Sequence, residues 1–124
     1  VGIWIRSPKL ADGETVSWRR FANRTQGNRA VGGRLYLTGA RVLFEPSHVD
    51  ALTGGQSWSA PLEWVASVGS QLPTGGAFDG GLRTRLRIQL RDGTVELFVV
   101  NGLDDAIAVL QRAAGHAVGP ARSE

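Results

Sequence analysis

One change of period organises this chain. From Glu14 to Val100 apolar residues recur mostly at every second position, whereas from Leu103 to Ala114 they recur every third or fourth. A period of two belongs to strands half-buried in a sheet, and a period near 3.6 to an amphipathic helix. A run of short strands closed by one helix is therefore the arrangement that the sequence dictates.

The cleanest strand runs from Leu82 to Leu90, with Leu82, Leu86, Ile88 and Leu90 sharing a face with Thr84, and Arg83, Arg85 and Arg87 on the other. Asp92-Gly93 reads as a two-residue hairpin turn, whose positions need positive φ. That turn predicts Leu90 opposite Val95, Ile88 opposite Leu97 and Leu86 opposite Val99, all inward. It leaves Gln89 opposite Glu96, Arg87 opposite Phe98 and Arg85 opposite Val100 on the outer face. Arg87 over Phe98 would be a cation–π pair worth ~0.5–1 kcal/mol. Arg83, Arg85, Arg87, Phe98 and Val100 then form a candidate interaction face, either a protein-contact patch or a surface covered by Trp4 and Ile5.

Five more strands precede that hairpin. Residues 1–12 read as a lead-in broken at Ser7-Pro8 and Asp12-Gly13. Val16 and Trp18 alternate with Ser17 and Arg19, and the parity of Phe21 predicts a bulge near Arg19-Arg20. Gln26-Gly27-Asn28 is a hairpin tip, Val31, Leu35 and Leu37 continue inward, and Thr38-Gly39-Ala40 turns the chain into Val42 and Phe44. Residues 47–56 read as a polar loop. Trp58, Ala60 and Leu62 form a strand that Pro61 confines to an edge or bulge. Trp64, Ala66 and Val68 share one side of the next, before a glycine-rich loop from Gln71 to Gly81. Asn101 is placed to cap the helix, Asp104 and Asp105 suit its first turn, and Gly115 stops it. The domain spans residues 13–115, with a tail at 116–124.

A chain of 124 residues fits one domain, and 42% hydrophobic with 20% charged residues excludes wholesale disorder. Without cysteine there is no disulfide, thiolate metal site or thiol nucleophile. Without methionine the chain reads as a piece of a longer or processed protein. No apolar run is long enough to span a membrane. The net charge of +3, carried by arginine except for Lys9, is too mild for a nucleic-acid footprint.

Seven strands and a C-terminal helix resemble the pleckstrin-homology superfold and, within it, the GRAM domain of bacterial type. The resemblance spans roughly residues 11–114 and rests on Gly13-Glu14-Thr15-Val16, the block Gly33 to Glu45, Ala60 to Val68, and Leu86 to Val99, with Leu35 to Glu45 the most specific part. It implies a mainly β fold, a sandwich or partly open barrel, and a cytoplasmic, non-catalytic binding module for lipid head groups or protein segments. It also implies that loops after strands 1, 3 and 6 gather at one open end. Arg20 stands where lipid-binding relatives carry a lysine, but their basic-x-arginine pair is absent, because Arg29 is followed by Ala30 and Val31.

Two functional classes follow. An anionic membrane surface would use Arg20, Arg24, Arg29 and Arg91 at the open end, each contributing ~1 kcal/mol; otherwise these arginines are a solvated hairpin. A protein partner or weak self-association would use the face of the last hairpin. Trp18 and one of Trp58 or Trp64 belong in the core. His48, Asp50 and nearby serines lie in a loop without the held geometry of a catalytic triad. No spacing suits a metal, and no cofactor is implied. Phe78 in the glycine loop either folds back over the sheet or forms an apolar docking tip.

Overall fold

The computed structural model describes residues 8–76, 78 and 81–118, the last three by their backbone alone. The fold is mainly β. Seven strands form one antiparallel sheet: β1 (Val16–Gln26), β2 (Arg29–Thr38), β3 (Arg41–Pro46), β4 (Trp58–Pro61), β5 (Val65–Gln71), β6 (Arg85–Leu90) and β7 (Val95–Val100), in the order β4-β3-β2-β1-β7-β6-β5. A short helix α1 (His48–Leu52) follows β3, and α2 (Leu103–Val118) follows β7. The lead-in residues Trp4 and Ile5 and the end of the tail lie outside the described residues.

The sheet curls around its own inward side chains. Val31, Leu35 and Leu37 of β2 meet Val42 and Phe44 of β3, and Leu86, Ile88, Phe98 and Val100 complete the wall. Phe44 and Phe98 sit 5.8 Å apart between ring centroids. Ala106, Leu110 and Ala114 of α2 join this core, with α2 packing on β5 and the 3-10 turn at Leu62–Trp64. Trp18 and Trp58 pack at its margin, while Trp64 is exposed. On the opposite side Tyr36 and Leu43 are also buried, and Arg41 Nη2 donates to the Lys9 carbonyl beside them.

Several expected details are corrected. The last hairpin pairs Leu86 with Phe98, Arg87 with Leu97, Ile88 with Glu96 and Gln89 with Val95, one residue away from the sequence register. Its loop holds three residues, not two: Gly93 N donates to Leu90 O, Leu90 N donates to Thr94 O, and only Gly93 takes positive φ, at 92°. Asp92 Oδ1 accepts from both the Thr94 amide and its hydroxyl, which holds the Asp92 carboxyl below the usual range. A slip of one residue exchanges the two faces of a strand. Phe98 is therefore fully buried and Val100 lies in the core, whereas Val95 is exposed.

The irregularity in β1 falls between Val16 and Trp18 instead of at Arg19-Arg20, so Phe21 stays on the outer face, with Arg34 Cζ 4.5 Å from its ring centroid. A shift between Val65 and Ser67 puts Val65 and Val68 inside together, in place of Trp64, Ala66 and Val68. Leu82 precedes β6 and is exposed. Helix α2 starts after Gly102, not Asn101, and continues through Gly115.

Both sheet margins are blunted. β4 has four residues ending in Pro61, and β5 carries its irregularity and a Gln111 Nε2 bond of 2.7 Å to the Val68 carbonyl. These devices suppress strand addition at an edge.

Candidate functional site

Three connections meet around the tip of the β1–β2 hairpin. Gly27 has φ of 64°, as the first central residue of a tight hairpin turn requires. Gln26 Nε2 donates to the Gly54 carbonyl at 2.8 Å, and its Oε1 accepts from the Gln56 amide at 2.9 Å. Arg29 donates to Thr53 O at 2.6 Å and to Asp50 Oδ1 at 3.0 Å. The segment after β3 is thereby tied to the hairpin. On the other side the Ala30 amide donates to Phe78 O at 2.8 Å, and Arg85 donates to Thr25 Oγ1 and Thr74 Oγ1, both at 2.9 Å. The long loop between β5 and β6 is held to the same tip.

Within this end, residues 48–52 of the expected polar loop form the short helix α1. Its signal was present in the sequence: Ser47 caps it, accepting from the Asp50 amide at 3.1 Å, while the Ser47 hydroxyl donates to Asp50 Oδ2. A serine followed three residues later by an acid is a helix-start pattern. Asp50 is thus committed to Ser47, Arg29 and the Gly32 amide, and no bond joins it to His48, which is exposed. This arrangement orders a loop and does not build a triad.

Phe78 is 83% exposed, and Leu52, in α1, 87%. Val49, Leu72 and Leu82 are also exposed, so five of the nine exposed large apolar side chains among the described residues belong to connections at this end. None of the described clefts is lined by any of the five. Among the described clefts they act as separate tips and form no wall.

The chain matches no protein-family model and no curated protein in sequence. In structure it is similar to the C-terminal domain of an unknown protein from Leishmania infantum, with a TM-score of 0.66 and 12% identity, covering 83% of this chain and 86% of that one. This likeness concerns the fold.

The four arginines expected at an open end are each engaged separately. Arg20 pairs with Asp105 at 2.7 Å, Arg24 with Glu96 at 2.9 Å, and Arg29 with Asp50, while Arg91 donates to the Glu63 carbonyl. Neither of the two largest described clefts is lined by any of them. The candidate interaction face is also dispersed. Phe98 and Val100 point into the core, Arg85 is 2% exposed, Arg87 bonds Gln89, and of the three arginines only Arg83 lines a described cleft.

The largest of the described clefts, about 930 Å³, lies beside Glu14, Arg41, Ala40 and Leu62. Its charged pair is self-contained. Arg41 Nε donates to Glu14 Oε2 at 2.9 Å, the Thr38 hydroxyl donates to the same oxygen at 2.7 Å, and the Ala11 amide donates to Oε1. These donors, Arg41 foremost, lower the Glu14 carboxyl to about 2. A carboxylate so fully engaged staples the lead-in to the β2–β3 turn. Among the described residues no group of three or more histidine, cysteine or acidic side chains could hold a metal, and no helix is long and apolar enough to cross a membrane.

Proposed function

We infer that this chain is a non-catalytic docking module of the GRAM type that seats on a membrane surface from the cytoplasmic side, through the end built around the β1–β2 tip. One observation carries the reading: five large apolar side chains, on connections tied together by hydrogen bonds, project into solvent at that end. Separate projecting tips suit a fluid interface, where lipid closes around each one, better than a shaped protein surface. Interfacial binding grows with the apolar area inserted, and a fully buried Leu or Phe side chain is worth ~1.5–3 kcal/mol. The expected arginine cluster is spent on internal pairs, so apolar insertion leads and anionic lipid assists through the net charge of +3.

Vesicle sedimentation tests this, with phosphatidylcholine alone and with phosphatidylserine added. The protein should pellet with both, more with the anionic mixture and with modest loss in salt. The double substitution Phe78→Ser with Leu52→Ser should weaken pelleting by ~10-fold or more while leaving the melting temperature unchanged. No pelleting with either composition, or pelleting indifferent to both substitutions, removes the membrane reading and leaves a protein partner for this end.

A further inference from the structure

A second cleft, about 510 Å³, opens on the outer side of the sheet where β2, β1 and β7 run side by side. Its floor includes the backbone of Gly32 and Gly33. The bare floor is enforced. A Cβ on Gly32 would press on Asn23 Oδ1 and Asp50 Oδ2, each at 3.1 Å, whereas the place of a Cβ on Gly33 lies on the core side, against Phe44 Cζ. Asn23 projects from β1, Asn101 from the end of β7, and Arg83 from the approach to β6. All three are exposed, and none of their side chains has a hydrogen bond or ion pair to another described residue. Arg20, Arg24, Arg29 and Arg41 are all in carboxylate pairs, so Arg83 stands apart from them. No acidic residue is among the lining residues, and the Asp50 carboxylate beside Gly32 is held by Arg29, Ser47 and the Gly32 amide. Phe21 forms one wall, 51% exposed, its ring steadied by Arg34 at 4.5 Å.

We propose that this outer cleft binds a small organic anion, with the acidic group on Arg83 and the amides of Asn23 and Asn101, and a flat apolar body against Phe21. An unengaged guanidinium forks onto carboxylate or phosphate oxygens. Carboxamide N–H groups add donors that tolerate either anion. The volume falls within the range of small-molecule sites, which combine an apolar wall with a few convergent polar groups. The proposal is separate from the membrane reading: it concerns a different face and a soluble ligand.

Backbone amide NMR titration tests it with three soluble probes: phenyl phosphate, inorganic phosphate and benzyl alcohol. Phenyl phosphate should give saturable shifts at Asn23, Gly32, Gly33 and Asn101. Phosphate alone should bind ~10-fold more weakly, and benzyl alcohol should not saturate. Arg83→Gln should weaken phenyl phosphate by ~10-fold or more with the remaining spectrum unchanged, and Phe21→Ser should bring its affinity down to that of phosphate. Shifts that do not saturate, an affinity unaltered by Arg83→Gln, or equal affinity for phosphate and phenyl phosphate in the unsubstituted protein would overturn it.

Discussion

Trp58 and Phe98 meet in a tilted pair, 5.7 Å between ring centroids with their planes 53° apart, although their strands, β4 and β7, stand four steps apart in the sheet. Four steps across a flat sheet cover roughly 19 Å. The sheet is therefore rolled far enough for Phe98 to join its two halves. Replacing Phe98 with Ala should cost ~3–5 kcal/mol, and Phe98→Glu should abolish folding without acting on any partner. Urea denaturation measures the first and circular dichroism the second. A Phe98→Ala protein of undiminished stability would contradict this packing.

Gly33 should refuse even a methyl group. Its missing Cβ would meet the Glu45 carbonyl oxygen at 2.1 Å, Phe44 Cζ at 2.8 Å and Pro46 Cα at 2.8 Å. Two of these are backbone atoms and cannot step aside. Gly33→Ala should lose ~3 kcal/mol, near the upper end of overpacking costs, while Gly69→Ala, where nothing lies within 4 Å, should stay within ~1 kcal/mol of the original. Thermal melts of the pair compare them directly.

Acid should weaken the lead-in staple within a defined window. The Glu14 carboxyl falls from an ordinary 4.5 to about 2 when folded, so the unfolded chain binds that proton more readily. Its contribution is complete above about pH 4.5 and is lost as pH falls through about 2. Glu14→Gln should therefore be less stable than the original at neutral pH, and the two should converge toward about pH 2. A difference between their urea midpoints that persists unchanged at the acid end would refute the assignment.

Arg85 should act as an internal tie. At 2% exposure it bridges Thr25 of β1 and Thr74 of the long loop. Arg85→Ala should cost ~2–4 kcal/mol, and Arg85→Lys should not restore it, because one ammonium cannot span both hydroxyls as the fork does. Hydrogen exchange should quicken first around Thr74. A lysine variant with full stability would show that only the charge matters.

The succession of strands was legible because most inward runs alternate between turn residues, and the helix because Leu103, Ile107, Leu110 and Ala114 keep one stripe. What escaped was one residue in a turn. Asp92-Gly93 fits both a two-residue loop and a three-residue loop ending in a left-handed glycine, and the strand Val95 to Val100 is apolar on both faces, so nothing in its pattern rejected the wrong register. The candidate interaction face fell with that register. The engagement of the four arginines was hidden for another reason: the carboxylate partners of Arg20, Arg24 and Arg29 lie 85, 72 and 21 residues away, and the carbonyl that Arg91 meets lies 28 away, beyond local pattern. Phe78 could be placed on a loop but not shown to be bare until the hydrogen bond from Ala30 to its carbonyl held the backbone while the ring faced water.

The sealed margins at Pro61 and at the Gln111–Val68 bond bear on how many copies can share a small area. Proteins concentrated on a surface meet edge to edge, the geometry in which bare strands zip into fibres. The short β4 and the Gln111 bond on β5 disfavour that pairing at the two outermost strands. On a lipid surface of the kind proposed above, crowding should therefore leave neighbours side by side and separable, free to leave one at a time when the surface is diluted.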